Sequence, residues 1–159
     1  MRVLLADDQP KVRFALRVLL ERQPGLKVVG EATDADDLLA QMETACPDLV
    51  LLAWELPGLA AVDPSASRRG EPVEPSGQGL LTALRRVCPD LFVIALSGRL
   101  EVRQAALDAG ADAFVCKCDP PERLLAAIAD CSAKVERQVS SIMNKEVERC
   151  ISIHTKPKC

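Results

Sequence analysis

The 159-residue chain is 48% hydrophobic and 27% charged, with a formal net charge of -3, a balance that fits one ordinary domain with an appendage and leaves no room for a second large domain. A mildly acidic chain has no general attraction for nucleic acid, so binding to DNA through a basic surface is disfavoured. No apolar run approaches the roughly 20 residues that span a bilayer, and the opening MRVLLADDQP turns acidic before a secretion signal develops, so the expectation is a cytoplasmic protein with no membrane partner.

In chain order, short apolar runs alternate with helical patterns. RVLLA (2–6) is followed by VRFALRVLLERQ (12–23), KVVGEA (27–32) by DADDLLAQMETA (34–45), and DLVLLA (48–53) closes the first half. The second half reads GLLTALRRV (79–87), LFVIAL (91–96), EVRQAALDAG (101–110), AFVCK (113–117) and PERLLAAIADCSAKVERQVSSI (121–142). Five strands, each paired with a helix, predict an α/β fold: an open, doubly wound parallel sheet covered on both faces. The strands are continuously apolar, whereas helical segments space their apolar residues three and four apart, as at Leu16, Leu19 and Leu20. Pro10, Gly110 and Pro120-Pro121 sit where helices start or stop.

Two segments depart from this rhythm. Residues 60–78, including AVDPSASRRGEPVEPSGQ, are rich in Pro, Ser, Gly and charge and predict a surface loop inserted beside the end of the third strand. The last helix runs past the length a sheet needs, with Val135, Val139, Ile142, Met143 and Val147 at helical spacing. That stripe suggests self-association, with packing back on the domain as the alternative. The division is therefore a domain over 1–130 and a helical extension and tail over 131–159. The single histidine, His154, falls in that tail with no partner at metal-ligand spacing.

Seven cysteines form no Cys-x-x-Cys pair, so reduced thiols are the expectation; Cys116 and Cys118, flanking Lys117, are the closest pair.

Sites in open α/β sheets form at the carboxyl ends of the strands. Asp7 and Asp8 close the first strand, Ala53 the third, Ser97 the fourth and Lys117 the fifth. An acidic pair with a hydroxyl and a lysine suits Mg²⁺ and a phosphoryl group, since carboxylates hold the hard cation while lysine and hydroxyl meet phosphoryl oxygens. Each residue alone has a plainer reading, as a helix cap, a turn residue or a solvated side chain.

These blocks resemble the receiver domain of two-component response regulators, especially receivers that precede helix-turn-helix outputs. VLLADDQPKVRFALRVLLERQPGLKVVGEATDADDLL matches the family's opening, and PDLVLLAWELPG, VIALSG and GADAFVCK match later blocks in order. The resemblance implies a flavodoxin-like sheet in the order 2-1-3-4-5. It assigns Asp7, Asp8 and the backbone carbonyl of Glu55 to the metal, Ser97 and Lys117 to the phosphoryl group, and Phe114 to the aromatic position that changes rotamer. It also implies signalling proteins as partners, a histidine kinase among them; the stripe of the last helix is what suggests a homodimer.

The departure lies at the centre, because the family's phosphoacceptor aspartate is replaced by Ala53, whose methyl group cannot form an acyl phosphate. Mg²⁺ should bind weakly or not at all without that carboxylate, and the Pro57-Gly58 turn should aim the Glu55 side chain outward. Cys118 stands where the family usually has proline. The expected function is a stand-alone, non-enzymatic receiver in phosphorelay signalling that works through protein contacts, a pseudo-receiver. The alternatives are a competent receiver whose Asp has been changed to Ala at 53, and a truncated DNA-binding transcriptional regulator.

Overall fold

The computed structural model describes residues 1–59, 77–134 and 136–137. Five strands, β1 (Arg2–Ala6), β2 (Lys27–Ala32), β3 (Leu49–Ala53), β4 (Phe92–Ser97) and β5 (Ala113–Cys116), form one sheet in the order β2-β1-β3-β4-β5. Every neighbouring pair is parallel, so each connection has to cross a face of the sheet. Helices α1 (Pro10–Glu21), α2 (Ala35–Ala45), α3 (Gln78–Val87) and α4 (Arg103–Asp108) lie in those connections, and α5 begins at residue 121 and is described through 134.

The inner strands β1, β3 and β4 read as apolar runs because alternate residues serve two cores, whereas the edge strand β2 carries Lys27 and Glu31. Val3 and Leu5 of β1 pack with Leu49, Leu51 and Ile94 beneath α1 and α5, which contribute Leu20, Leu124 and Ile128. Leu4 and Ala6 point the other way, to Val50, Leu52 and Val93 beneath α2 and α3, which contribute Leu38, Met42, Leu80 and Leu84. Leu51 and Leu84 are almost wholly buried, so truncating either to Ala removes a packed side chain and costs about 2–5 kcal/mol.

Local chemistry fixes the helix ends. Pro10 opens α1, where the missing N–H would have had no partner within the helix. Asp34 caps α2 by accepting the Asp37 N–H at 2.8 Å, and Asp36 and Asp37 sit in its first turn, near the positive end of the helix dipole. After β3 the chain turns at Gly58, whose φ is +83°. A Cβ at Gly58 would lie 3.1 Å from that of Ala35, and Pro57 accepts the Ala35 N–H at 2.9 Å. Glycine is therefore favoured there by backbone conformation and by close approach together.

Some boundaries differ from the sequence reading. Helix α1 starts at Pro10 rather than residue 12, and α4 is shorter than 101–110 because Leu100–Val102 forms a tighter 3-10 turn, with the Arg103 N–H reaching the Leu100 carbonyl. Strand β4 takes in Ser97, β5 ends at Cys116, and α3 begins at Gln78, inside the expected loop. The loop over 60–76, the stripe at Val135, Val139, Ile142, Met143 and Val147, and His154 lie outside the described residues.

Candidate functional site

Parallel strands end together at one edge, and register decides which side chains meet there. Ala6 pairs with Leu52, Ala53 with Leu96, and Ser97 with Cys116. Asp7 and Asp8 thus follow β1, Ala53 closes β3, Ser97 closes β4 and Lys117 follows β5, which brings the sequence-selected residues to one edge.

Asp7 is 1% exposed. Its Oδ1 accepts the Gln9 N–H at 2.9 Å, and its Oδ2 lies 2.7 Å from Lys117 Nζ. That ion pair is not aligned as a hydrogen bond, so charge rather than a directional bond holds it. The Lys117 N–H donates to the Ser97 carbonyl at 2.8 Å, which roots the lysine on β4 while its ammonium reaches the β1 tip. Asp8 is exposed. Ala53 is fully buried between these groups and supplies neither charge nor nucleophile.

The Glu55 side chain is exposed, as expected, but leans back toward the tip of β4. It accepts a hydrogen bond from Ser97 Oγ and lies 3.7 Å from Arg99 Nε. The cause is the turn after β3: the Trp54 N–H donates to the Leu96 carbonyl at 2.7 Å and the Leu56 N–H to the Ala53 carbonyl at 3.1 Å, which swings Glu55 toward the tip of β4. Ser97, buried completely, also accepts the Arg99 N–H at 3.0 Å, so its hydroxyl is satisfied as donor and acceptor.

Mg²⁺ requires near-octahedral oxygen ligands. Both Asp7 oxygens are engaged by protein groups, and the described residues contain no cluster of three or more carboxylate, histidine or cysteine side chains placed for a metal. With Lys117 on Asp7, the side-chain donors alone do not complete a site for the ion.

The expectation of reduced thiols is corrected at one place. Cys116 and Cys118 are joined by a disulfide, whereas Cys46, Cys88 and Cys131 are free. The turn after β5 brings the two side chains together, a local geometry that cysteine counting does not reveal.

Phe114 is half-buried and packs on the core beneath α2 and α3. Three contributors escaped the sequence reading. Arg13 donates to the Asp7 carbonyl at 2.6 Å and pairs with Glu31 at 3.2 Å; Arg99 flanks Glu55; and Trp54, 3% exposed, covers the turn after β3. The one available signal was Trp54, the only tryptophan, placed directly after the strand. Next to the edge lies an apolar groove of about 660 Å³ between α1 and the start of α5, lined by Phe14, Leu19, Val115, Cys116, Lys117 and Leu124.

Comparison with known proteins agrees with this architecture. The nitrate/nitrite response regulator protein NarP of Escherichia coli is 32% identical over 129 residues, covering 80% of this chain and 53% of NarP. The chain spans about half the length of the curated relatives it matches. A two-component response regulator of the LuxR family from Aurantimonas superposes with a TM-score of 0.65 at 28% identity, covering 83% of this chain and 85% of that one. A CheY-like receiver domain protein from Methanospirillum hungatei gives 0.65 at 27% identity, covering 86% and 97%. The family model for the response regulator receiver domain matches residues 3–129, and the chain belongs to that family of two-component signalling domains.

Proposed function

We propose that this receiver has lost phosphoryl uptake at its usual position and signals through protein contacts. The observation that carries the reading is Ala53, a buried methyl at the tip of β3 where an acceptor needs a nucleophilic oxygen. The neighbouring groups support it. Lys117 is drawn to Asp7 and Ser97 to Glu55, so the cation and hydroxyl that would meet phosphoryl oxygens are neutralised from within the chain.

Receiver domains generally bind Mg²⁺ at their acidic site. On this reading Asp7, Asp8 and the Glu55 carbonyl are the remaining ligands, and affinity is weak because each Mg²⁺ must displace Lys117 from Asp7. Phe114 keeps the position of the family's mobile aromatic. The receiver spans 1–130, and 131–159 forms the extension. Partners under this reading are signalling proteins, a histidine kinase and a second copy, in the cytoplasm. Among the described residues no helix is long and apolar enough to cross a membrane.

A second reading rests on the relatives' names and length. NarP and NarL are response regulators of which the match covers only 53% and 54%, and SgaR carries the name of a transcriptional regulatory protein. In such a system this receiver would control a DNA-binding output through contact.

The test is intact mass after incubation with Mg²⁺ and acetyl phosphate, beside the Ala53→Asp variant. No adduct on the natural chain and a phosphoryl adduct on the variant are expected. An adduct on the natural chain would overturn the reading. A variant that stays unmodified would show that the site has diverged beyond this one residue.

A further inference from the structure

Two cysteines bracket the lysine of the site. Cys116 ends β5 and is 2% exposed, whereas Cys118 is exposed. The turn between them is set by bonds that do not involve the disulfide. The Cys116 N–H donates to Asp119 Oδ2 at 3.1 Å, the Asp119 N–H returns to the Cys116 carbonyl at 2.9 Å, and the Lys117 N–H is tied to Ser97. With this backbone the two Cα atoms stand 5.1 Å apart, inside the roughly 4.4–6.8 Å that a disulfide accepts. The turn thus presents one reachable thiol and one shielded thiol to each other, and the other described cysteines are unpaired.

We propose that Cys116 and Cys118 are a reversible thiol–disulfide site, oxidised by low-molecular-weight disulfides, whose state controls how firmly Lys117 is held on Asp7. In the forward step the exposed Cys118 thiolate attacks a sulfur of the oxidant RSSR, forming a mixed disulfide and releasing one RS⁻. The Cys116 thiolate then attacks Cys118 Sγ, closing the ring and releasing the second RS⁻. The sum is two protein thiols and one RSSR giving one protein disulfide and two RSH, with two electrons passing to the oxidant. Exposure sets the order of attack, because Cys118 is exposed whereas Cys116 is 2% exposed.

The consequence follows from what lies inside the ring. Lys117 is its middle residue, and its ammonium is 2.7 Å from Asp7 Oδ2. A loop this short adds little stability through chain entropy, so the effect is local. Closing the ring adds a covalent restraint to the hydrogen-bonded turn that aims the lysine at β1, and reduction leaves only the hydrogen bonds, which can open and let the lysine swing away. Disulfides in reducing compartments tend to be transient and redox-sensing, which matches a reachable thiol at the rim of a signalling site. This inference rests on the geometry of the turn and stands whether or not Ala53 abolishes phosphorylation.

The test uses the full chain equilibrated in glutathione mixtures from reduced to oxidised, with free thiols then blocked by iodoacetamide. Trypsin cuts after Lys117, so an oxidised pair leaves Gln104–Lys117 and Cys118–Arg123 joined, and a reduced pair leaves them separate and alkylated. The joined peptides should grow with oxidised glutathione and vanish with dithiothreitol. Cys118→Ser should abolish them without altering the circular dichroism. Acylation of the Lys117 amine by an activated ester, read on the same peptides, should be several-fold slower in the oxidised protein. Full alkylation of both cysteines in every mixture, or stable glutathione on Cys118 with no ring, would overturn the site. Equal acylation of Lys117 in the two states would overturn its control of the lysine.

Discussion

At the amino end of the sheet, Asp48 accepts the Arg2 N–H at 2.6 Å, and Asp112 accepts the Val93 N–H at 2.8 Å and Arg85 Nη2 at 3.1 Å. At the carboxyl end, Asp7 faces Lys117 without an aligned hydrogen bond, Asp8 is exposed, and Ser97 bonds a glutamate from a turn. Aspartate follows or precedes strands at both ends, yet at the amino end strand N–H groups hold each carboxylate, with Arg85 added at Asp112, whereas at the carboxyl end the Gln9 N–H takes one Asp7 oxygen and the other faces only a long, movable cation. Backbone donors cannot leave without unfolding a strand end. A lysine can swing away, so the carboxyl end keeps the freedom that a regulated site needs.

The largest effect expected from breaking this contrast is at Lys117. Lys117→Met leaves the buried Asp7 carboxylate without its cation, and removal of one partner from such a pair costs about 3 kcal/mol; urea denaturation measures it, and a loss near zero would mean that Asp7 does not depend on the lysine. Next comes Asp112→Ala, which orphans the Val93 N–H and should cost about 2 kcal/mol in the same assay. Asp7→Asn should cost less, about 1 kcal/mol, because the partly exposed lysine can turn to water. A larger loss than at Asp112 would reverse the proposed roles of the two ends. The smallest effect concerns pH. Burial raises the Cys131 thiol above its usual 9.0, with Asp112 adding to the rise and Lys134 opposing it. The unfolded chain therefore releases this proton first as pH rises, so the stabilisation is present below the ordinary thiol range and is lost above it. Urea midpoints should fall between about pH 8 and 10, where thiols titrate, and the fall should be shallower in Cys131→Ala.

Much of this was legible before the structure. β1 and β2 begin and end where their apolar runs do, and Asp7, Ala53, Ser97 and Lys117 fall at one edge because strand order and parallel pairing require it. What was not legible depends on contacts remote in sequence. Glu55 is aimed by the Trp54 bond to Leu96 and held by Ser97, 42 residues away, and no local turn rule carries that information. The Cys116–Cys118 bond was hidden for the opposite reason. It is wholly local, but it depends on the turn's dihedral angles, which residue spacing does not report.

Trp54 carries one last consequence. Its N–H extends the pairing of β3 with β4, and its ring lies against Gly77, where an added Cβ would come within 2.5 Å of the indole. The chain has no tyrosine and no second tryptophan, so emission excited in the indole band arises from this one ring. A label-free fluorescence signal therefore originates where the tip of β3 meets the residue leading into α3. Shifts in its wavelength or lifetime will register rearrangement at that junction without any added dye.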